Sequence, residues 1–333
     1  MNTAMITIAS HEVLPDHLRG SVVAIGNFDG LHRGHQELLA IAKTLAEKQG
    51  KTWGILTFEP HPRTYFRPQE PVFRLTPPEL KHRLAKVLGA SFVVSIAFDE
   101  VLANSSPEDF INTHLVERLG LSHIVTGYDF HFGKGRKGGS DTLREQGALH
   151  NFGVTVVDQV TDDGDSNAPY SSSSIRSALR RGHLRQAAQE LGYNWMVMGE
   201  VVHGDKRGRT IGFPTANIIL EPGAEPYRGI YAVTVRDAAG SEQWQGAAYF
   251  GDRPTFNTNR TFLEVFLLDQ TIDLYGRTLI VSFVDLVRGD KTFKSVEELV
   301  AQMQLDCAEV RKILAAQTIS VLPLAKAQAE GRV

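Results

Sequence analysis

Val22-Val23-Ala24-Ile25-Gly26-Asn27-Phe28-Asp29-Gly30-Leu31-His32-Arg33-Gly34-His35 joins an apolar run to a glycine- and histidine-bearing turn. Leu38, Ile41, Ala42 and Leu45 then recur at helical spacing up to Gly50, and Gly54-Ile55-Leu56-Thr57-Phe58 is apolar again. The pattern predicts strand, tight turn, helix and second strand, a β-α-β unit. In such a unit the helix begins at the carboxyl end of the strand, where unpaired amides and the helix dipole favour an anion. Gly30 and Gly34 let backbone approach a phosphate closely, and His32 and His35 project from one helical turn. Paired imidazoles there suit charge that builds during nucleotidyl transfer. An isolated H-x-x-H is more often a surface feature; its position at a strand-to-helix turn sets this one apart.

Alternation of strand and helix continues outward. Thr57-Phe58-Glu59-Pro60-His61-Pro62-Arg63 is a proline-stiffened turn after a strand, with His61 and Arg63 as neighbours of the site. Pro78-Glu79 opens a helix, Phe92–Ile96 reads as a strand, and Ser106-Pro107-Glu108-Asp109 starts a helix ending at Gly120. His123–Gly127 is the next strand. The glycine-rich basic loop Gly133-Lys134-Gly135-Arg136-Lys137-Gly138-Gly139 follows, and a helix is expected near Thr142 from a Thr-x-x-Glu box. That loop contains G-x-G-x-x-G, but its first glycine lies too far past the strand for a dinucleotide fingerprint; a mobile loop closing over phosphates fits it better. Ser171-Ser172-Ser173-Ser174-Ile175-Arg176 opens a further helix and offers hydroxyls, amides and a guanidinium to an anion.

From Trp195 the period becomes strand-like, with runs at Met196–Val202, Ile230–Val235, Ala247–Phe250, Phe262–Leu268 and Leu279–Val287, then a helix capped by Ser295. The expected fold is α/β. A Rossmann-like domain, a parallel sheet with helices on both faces, occupies residues 1–187, and an antiparallel β-barrel with a terminal helix occupies 188–333. Gly204-Asp205-Lys206-Arg207-Gly208-Arg209-Thr210-Ile211-Gly212-Phe213-Pro214-Thr215-Ala216-Asn217 gathers glycines and cations in a loop off a strand, where phosphate is the natural guest. Thr215 and Asn217 share one side of an extended segment and can hold Mg²⁺, while Glu264, mid-strand among apolar residues, can serve as a base if it faces them. The same loop is equally consistent with a structural hairpin or an RNA-binding loop.

Composition bounds the partners. Of 333 residues, 42% are hydrophobic and 22% charged, with a net charge of −3, so phosphate affinity must come from local sites. The expectation is small-molecule ligands, no nucleic acid, no membrane and an open oligomeric state. A single cysteine, Cys307, excludes an internal disulfide framework and fits a cytoplasmic setting. No run reaches membrane-spanning length.

In order along the chain, G-N-F-D-G-L-H-R-G-H, F-E-P-H-P-R, G-Y-D-F-H-F-G-K-G-R-K-G and S-S-S-S-I-R, then G-D-K-R-G-R-T-I-G-F-P-T-A-N, G-I-Y-A-V, F-G-D-R-P-T-F, E-V-F-L-L-D and L-Y-G-R, resemble the bacterial bifunctional riboflavin kinase/FAD synthetase family. P-T-A-N with its upstream glycines is specific to the kinase; H-x-G-H marks only a superfamily of nucleotidyltransferases. The resemblance implies ATP, riboflavin and FMN as substrates, with Mg²⁺ in both steps. It implies His32, His35 and Glu264 as catalytic residues, and Thr215 and Asn217 on the metal. Nucleotide contacts are implied for Gly26, Phe28, Asp29, Gly30, Asp129, Ser171, Ser172, Arg176, Gly204, Lys206, Gly208, Thr210 and Pro214. Tyr249 stands where the family often has asparagine, and Ser173 where threonine is common. A tRNA-charging ligase would need a lysine-rich second motif and a tRNA-binding domain, a single-activity transferase accounts for the first half alone, and a sensor without catalysis predicts a damaged motif set.

Overall fold

The computed structural model describes residues 6–9, 12–162, 168–204, 208, 211–221, 223–239, 242–251, 262–318 and 322–333. It comprises two compact units: Met1–Val72 with Lys81–Tyr170, and Phe73–Leu80 with Ser171–Val333.

The first unit is built on six strands, β1 (Ile6–Ile8), β2 (Val22–Ile25), β3 (Trp53–Glu59), β4 (Phe92–Ala97), β5 (His123–Gly127) and β6 (Gly153–Val157). They are all parallel, in the order β1-β4-β3-β2-β5-β6. Every residue of β2 is buried, as expected of a parallel strand covered on both faces. Helix α1 (Arg33–Lys48) lies over β2, β3 and β5 and buries Leu38, Leu39, Ala42 and Ala46. Helices α2 (Pro62–Phe66), α3 (Pro78–Leu88, of which the residues from Lys81 onward belong to this unit), α4 (Glu100–Asn104), α5 (Pro107–Phe110) and α6 (Ser140–His150) complete the connections. The chain builds β2, β3 and β4 in one direction, then returns to place β5 on the other side of β2. That reversal opens a crevice at the carboxyl ends of β2 and β5, the position where ligands bind in such sheets.

Two local expectations change. The helix read as beginning near Thr142 begins at Ser140; Thr142 is its third residue, and its hydroxyl accepts from the Gly139 amide at 3.4 Å. The helix opened by Ser106 is α-helical only over α5, and Ile111–Arg118 continues it as a wider π-helical coil.

The second unit is a closed antiparallel barrel of β7 (Met196–Val202), β8 (Thr215–Ile219), β9 (Gly229–Asp237), β10 (Gln243–Phe250), β11 (Phe262–Leu267) and β12 (Thr278–Gly289), in the order β10-β11-β8-β7-β12-β9. Alternation sends Ile218, Val233, Val235, Ala248, Leu263, Val265, Val281 and Phe283 inward, all buried. Helix α9 (Val296–Ala315) packs outside, where Cys307, Val310 and Leu314 meet Ala232, Ala247 and Phe266. Asp306 on α9 clamps it to β12 through a bidentate pair with Arg288. A short helix, α10 (Pro323–Ala329), ends the fold. Helices α7 (Ser172–Arg180) and α8 (Leu184–Leu191) belong to this unit. Arg185 pairs with Asp285 of β12, and the Tyr227 amide donates to the Leu179 carbonyl.

Candidate active sites

The turn after β2 is wound tightly. Phe28 and Leu31 take φ of 48° and 40°, and Gly30 takes 87°. Such a course reverses the chain within a few residues and delivers His32 to the helix start as N-cap. His32 Nδ1 accepts from the His35 amide at 3.4 Å. The two rings stack with centroids 3.6 Å apart, and Phe28 meets His35 edge-on at 5.3 Å. A methyl at Gly34 would sit 3.3 Å from the His32 ring, so the glycine gives that imidazole its room.

Asp29 and His32 are buried, at 3% and 6% exposure. His35 is partly buried, and its Nδ1 is an enclosed atom that lacks a hydrogen-bond partner. Burial, and then the nearby His32 and Lys81, hold its pKa well below the ordinary imidazole value. His35 is therefore neutral at pH 7 and offers one N–H rather than a cation.

Asp129 follows the end of β5, whose residues pair with β2 up to Ile25 opposite Thr126. The sheet thus brings the Gly26, Phe28, Asp29, Gly30, His32 and His35 turn and the Asp129 turn to one crevice. The basic loop is more tightly closed than the sequence suggests. Phe132 and Gly138 exchange both backbone hydrogen bonds, at 3.1 and 3.0 Å, and the Lys134 amide donates to the Ser105 carbonyl. Lys134, Arg136 and Lys137 stand exposed on it.

Sequence reading missed Lys81. Its ammonium, 3% exposed, donates to the Asn27 carbonyl at 3.0 Å, Thr57 Oγ1 at 3.2 Å and Glu59 Oε1 at 3.0 Å. In the sequence it is one more lysine on an amphipathic helix; its acceptors lie 22 to 54 residues upstream.

Ser171, Ser172 and Arg176 fall in the second unit, at the start of α7. Ser171 Oγ accepts from the Ser174 amide as N-cap, and Ser174 Oγ donates to Glu190. Arg176 Nε donates to the Phe73 carbonyl at 2.6 Å. Of the four serine hydroxyls, that of Ser171 thus caps α7 and that of Ser174 ties it to α8.

On the barrel, cross-strand register aligns Tyr249, Glu264 and Asn217 as direct partners across β10, β11 and β8, with Thr215 two residues along from Asn217. Directly paired residues share a face. Since Leu263, Val265 and Ile218 fill the interior, Glu264, Asn217 and Thr215 stand on the outer side of the barrel wall. Asn217 is only 5% exposed, and its Oδ1 is buried without a hydrogen-bond partner. Gly204 lies directly against its carboxamide, where a side chain would overlap. Gly208 accepts the Phe213 amide at 2.8 Å and so folds the loop back ahead of Pro214. Lys206 and Thr210 lie outside the described residues.

A parallel sheet with paired imidazoles at its switch point, joined to a closed barrel whose wall aligns a carboxylate with amide and hydroxyl oxygens, defines a two-domain transferase acting on phosphate groups. The model of the FAD synthetase family matches residues 14–172, and that of riboflavin kinase matches 191–314. The bifunctional riboflavin kinase/FMN adenylyltransferase of Bacillus subtilis is 36% identical over 93% of this chain and 97% of its own. That of Escherichia coli is 38% identical over 86% of this chain and 90% of its own. The chain belongs to this bifunctional riboflavin kinase/FMN adenylyltransferase family. A solved structure described as a macrolide-efflux protein from Streptococcus pneumoniae matches with a TM-score of 0.79 at 30% identity, over 92% of this chain and 99% of that one. Among the described residues, no helix is long and apolar enough to cross a membrane.

Proposed function

We propose that the protein makes FAD from riboflavin in two ATP-dependent steps at two separate sites, with the labour divided near residue 187. The two activities follow from family membership; the assignment of residues to them is our reading. At the barrel, Glu264 takes the proton of the terminal ribityl hydroxyl as its oxygen attacks the γ-phosphorus of ATP, so that FMN forms and ADP leaves. At the sheet, an FMN phosphate oxygen attacks the α-phosphorus of a second ATP, the α–β bridging bond breaks, and pyrophosphate departs. His32 and His35 donate to the charge developing on the transferred group. Gly26, Phe28, Asp29, Gly30 and Asp129 line that crevice, and the family resemblance assigns Ser171, Ser172 and Arg176 to nucleotide binding as well. Gly204, Lys206, Gly208, Thr210 and Pro214 hold the kinase's ATP.

Mg²⁺ fits the barrel group. Thr215 and Asn217 supply neutral oxygens, and the partnerless buried Asn217 Oδ1 is the kind of atom a hard cation satisfies. Bound there, Mg²⁺ would neutralise charge on the ATP phosphates. A chain with one cysteine and no membrane-spanning helix among its described residues supports action in the cytoplasm on small molecules.

The alignment of Glu264 with Asn217 is the observation that carries the division of labour. Incubation with riboflavin, ATP and Mg²⁺, followed by separation of the flavins, tests it. Substitution of both His32 and His35 by alanine should stop the product at FMN, lowering adenylylation by about 10²-fold or more. Glu264→Gln should leave riboflavin unphosphorylated yet convert supplied FMN to FAD. Equal damage to both steps by either change in folded protein would overturn the assignment.

A further inference from the structure

Lysine is seldom fully buried, and a buried ammonium is retained only where acceptors replace its water. Lys81 has three: the Asn27 carbonyl, the Thr57 hydroxyl and the Glu59 carboxylate. They are unevenly placed. Thr57 and Glu59 lie on β3, while Asn27 lies within the turn that leads from β2 to His32. Thr57 Oγ1 itself donates to the same Asn27 carbonyl at 3.1 Å, so that one oxygen receives two donors from beneath the turn. Neutralising Glu59 needs only the contact at 3.0 Å; the bond to Asn27 does something further. It fixes the point where the chain leaves β2, three residues ahead of the left-handed glycine and five ahead of His32.

We propose that Lys81 is a positioning residue of the adenylyl-transfer site, its buried ammonium anchoring the Asn27 end of the G-N-F-D-G-L-H turn to β3 so that His32 and His35 hold their aim. The proposal rests on the assignment of that turn to FMN adenylylation. Lys81 touches no reacting atom; it acts through the turn. Its positive charge also lies close enough to favour the neutral form of His35.

Two roles predict different behaviour. A lysine that only neutralises Glu59 becomes dispensable when Glu59 is neutral; one that anchors the turn does not. The experiment compares wild type, Lys81→Met, Lys81→Arg and the double variant Lys81→Met/Glu59→Gln as full chains, measuring kcat and KM for FMN adenylylation and, on the same preparations, riboflavin phosphorylation. Displacing a catalytic group by about 1 Å costs on the order of 10²-fold. Lys81→Met and the double variant should therefore both lose about 10²-fold in adenylylation kcat at saturating ATP and FMN, with phosphorylation within about twofold of wild type. Lys81→Arg, which keeps a cation with donors, should retain more adenylylation than either. Recovery of the double variant to wild-type adenylylation would overturn the proposal, as would an undiminished kcat in Lys81→Met. If Lys81→Met does not accumulate as folded protein, the comparison of Lys81→Arg with the charge-balanced double variant decides, equal kcat in those two counting against the anchor. Wild-type protein that converts no FMN to FAD would instead refute the underlying site assignment.

Discussion

At Gly204 the chain passes so close to Asn217 that a single methyl would overlap the carboxamide. Asn217 is nearly buried, with a partnerless Oδ1, so its orientation is set by what packs against it. Gly204→Ala should push the carboxamide out of line with Thr215 and Glu264. Riboflavin phosphorylation is then expected to fall about 10-fold to 10²-fold, with adenylylation of supplied FMN unchanged. An unaltered phosphorylation rate, read by flavin separation, would show that Asn217 tolerates displacement. The residues of this cluster were legible in the sequence because Thr-x-Asn on a strand has only one way to share a face. That Gly204 abuts Asn217 was not, since 13 positions separate them and only strand pairing brings them together. Lys81 was illegible for the same reason. Its neighbour Leu80 marks an apolar helix face, and nothing local tells a lysine beside that face that Glu59 waits inside.

Among the elements, the helix begun by α5 departs furthest from what periodicity suggests. Ser106 and Pro107 announce its start correctly, for Ser106 Oγ accepts from the Asp109 amide at 3.0 Å. Beyond Phe110 the coil widens, and no residue signals that change. One turn of it carries His114, whose Nδ1 lies 2.8 Å from an Arg118 guanidinium nitrogen. A guanidinium only donates, so Nδ1 accepts and the ring is neutral. Burial first and Arg118 second push its pKa down to about 4, with Asp99 opposing. Between about 4 and the ordinary value of 6.5 the unfolded chain binds more protons at this position than the folded one. Stability from this group therefore rises with pH across that window and is complete above it. Urea midpoints measured from pH 4.5 to 7, about the span of that window, should climb more steeply in wild type than in His114→Gln, which keeps an acceptor for Arg118 without titrating. Parallel slopes would mean that His114 binds protons equally in the folded and unfolded chain. His35, depressed in the same direction, contributes equally to both proteins and cancels from the comparison.

For the whole molecule, the sequence declared two domains through its change of period, from strands alternating with helices to strands alone after Trp195. The exact partition was hidden. Helices α7 and α8 read as an appendix to the first domain, yet they pack with the barrel, because the apolar stripe of Ile175, Ala178 and Leu179 shows no preference for one sheet over another until the chain is folded. Residues 171, 172 and 176, assigned to adenylylation, thus belong to the unit that carries the kinase group. Two activities on one chain need not imply that the intermediate is handed over. If each site completes its own reaction and FMN is released to solution, a chain with a defective sheet site and one with a defective barrel site should complement one another. Neither the His32→Ala/His35→Ala protein nor Glu264→Gln should make FAD from riboflavin alone. An equimolar mixture should do so, after a lag in which FMN accumulates, and the lag should shorten as the Glu264→Gln protein is raised in excess. Failure of the mixture, with each protein competent in its intact step, would show that FMN formed at one site does not reach the other molecule, and that the two reactions are bound to a single chain.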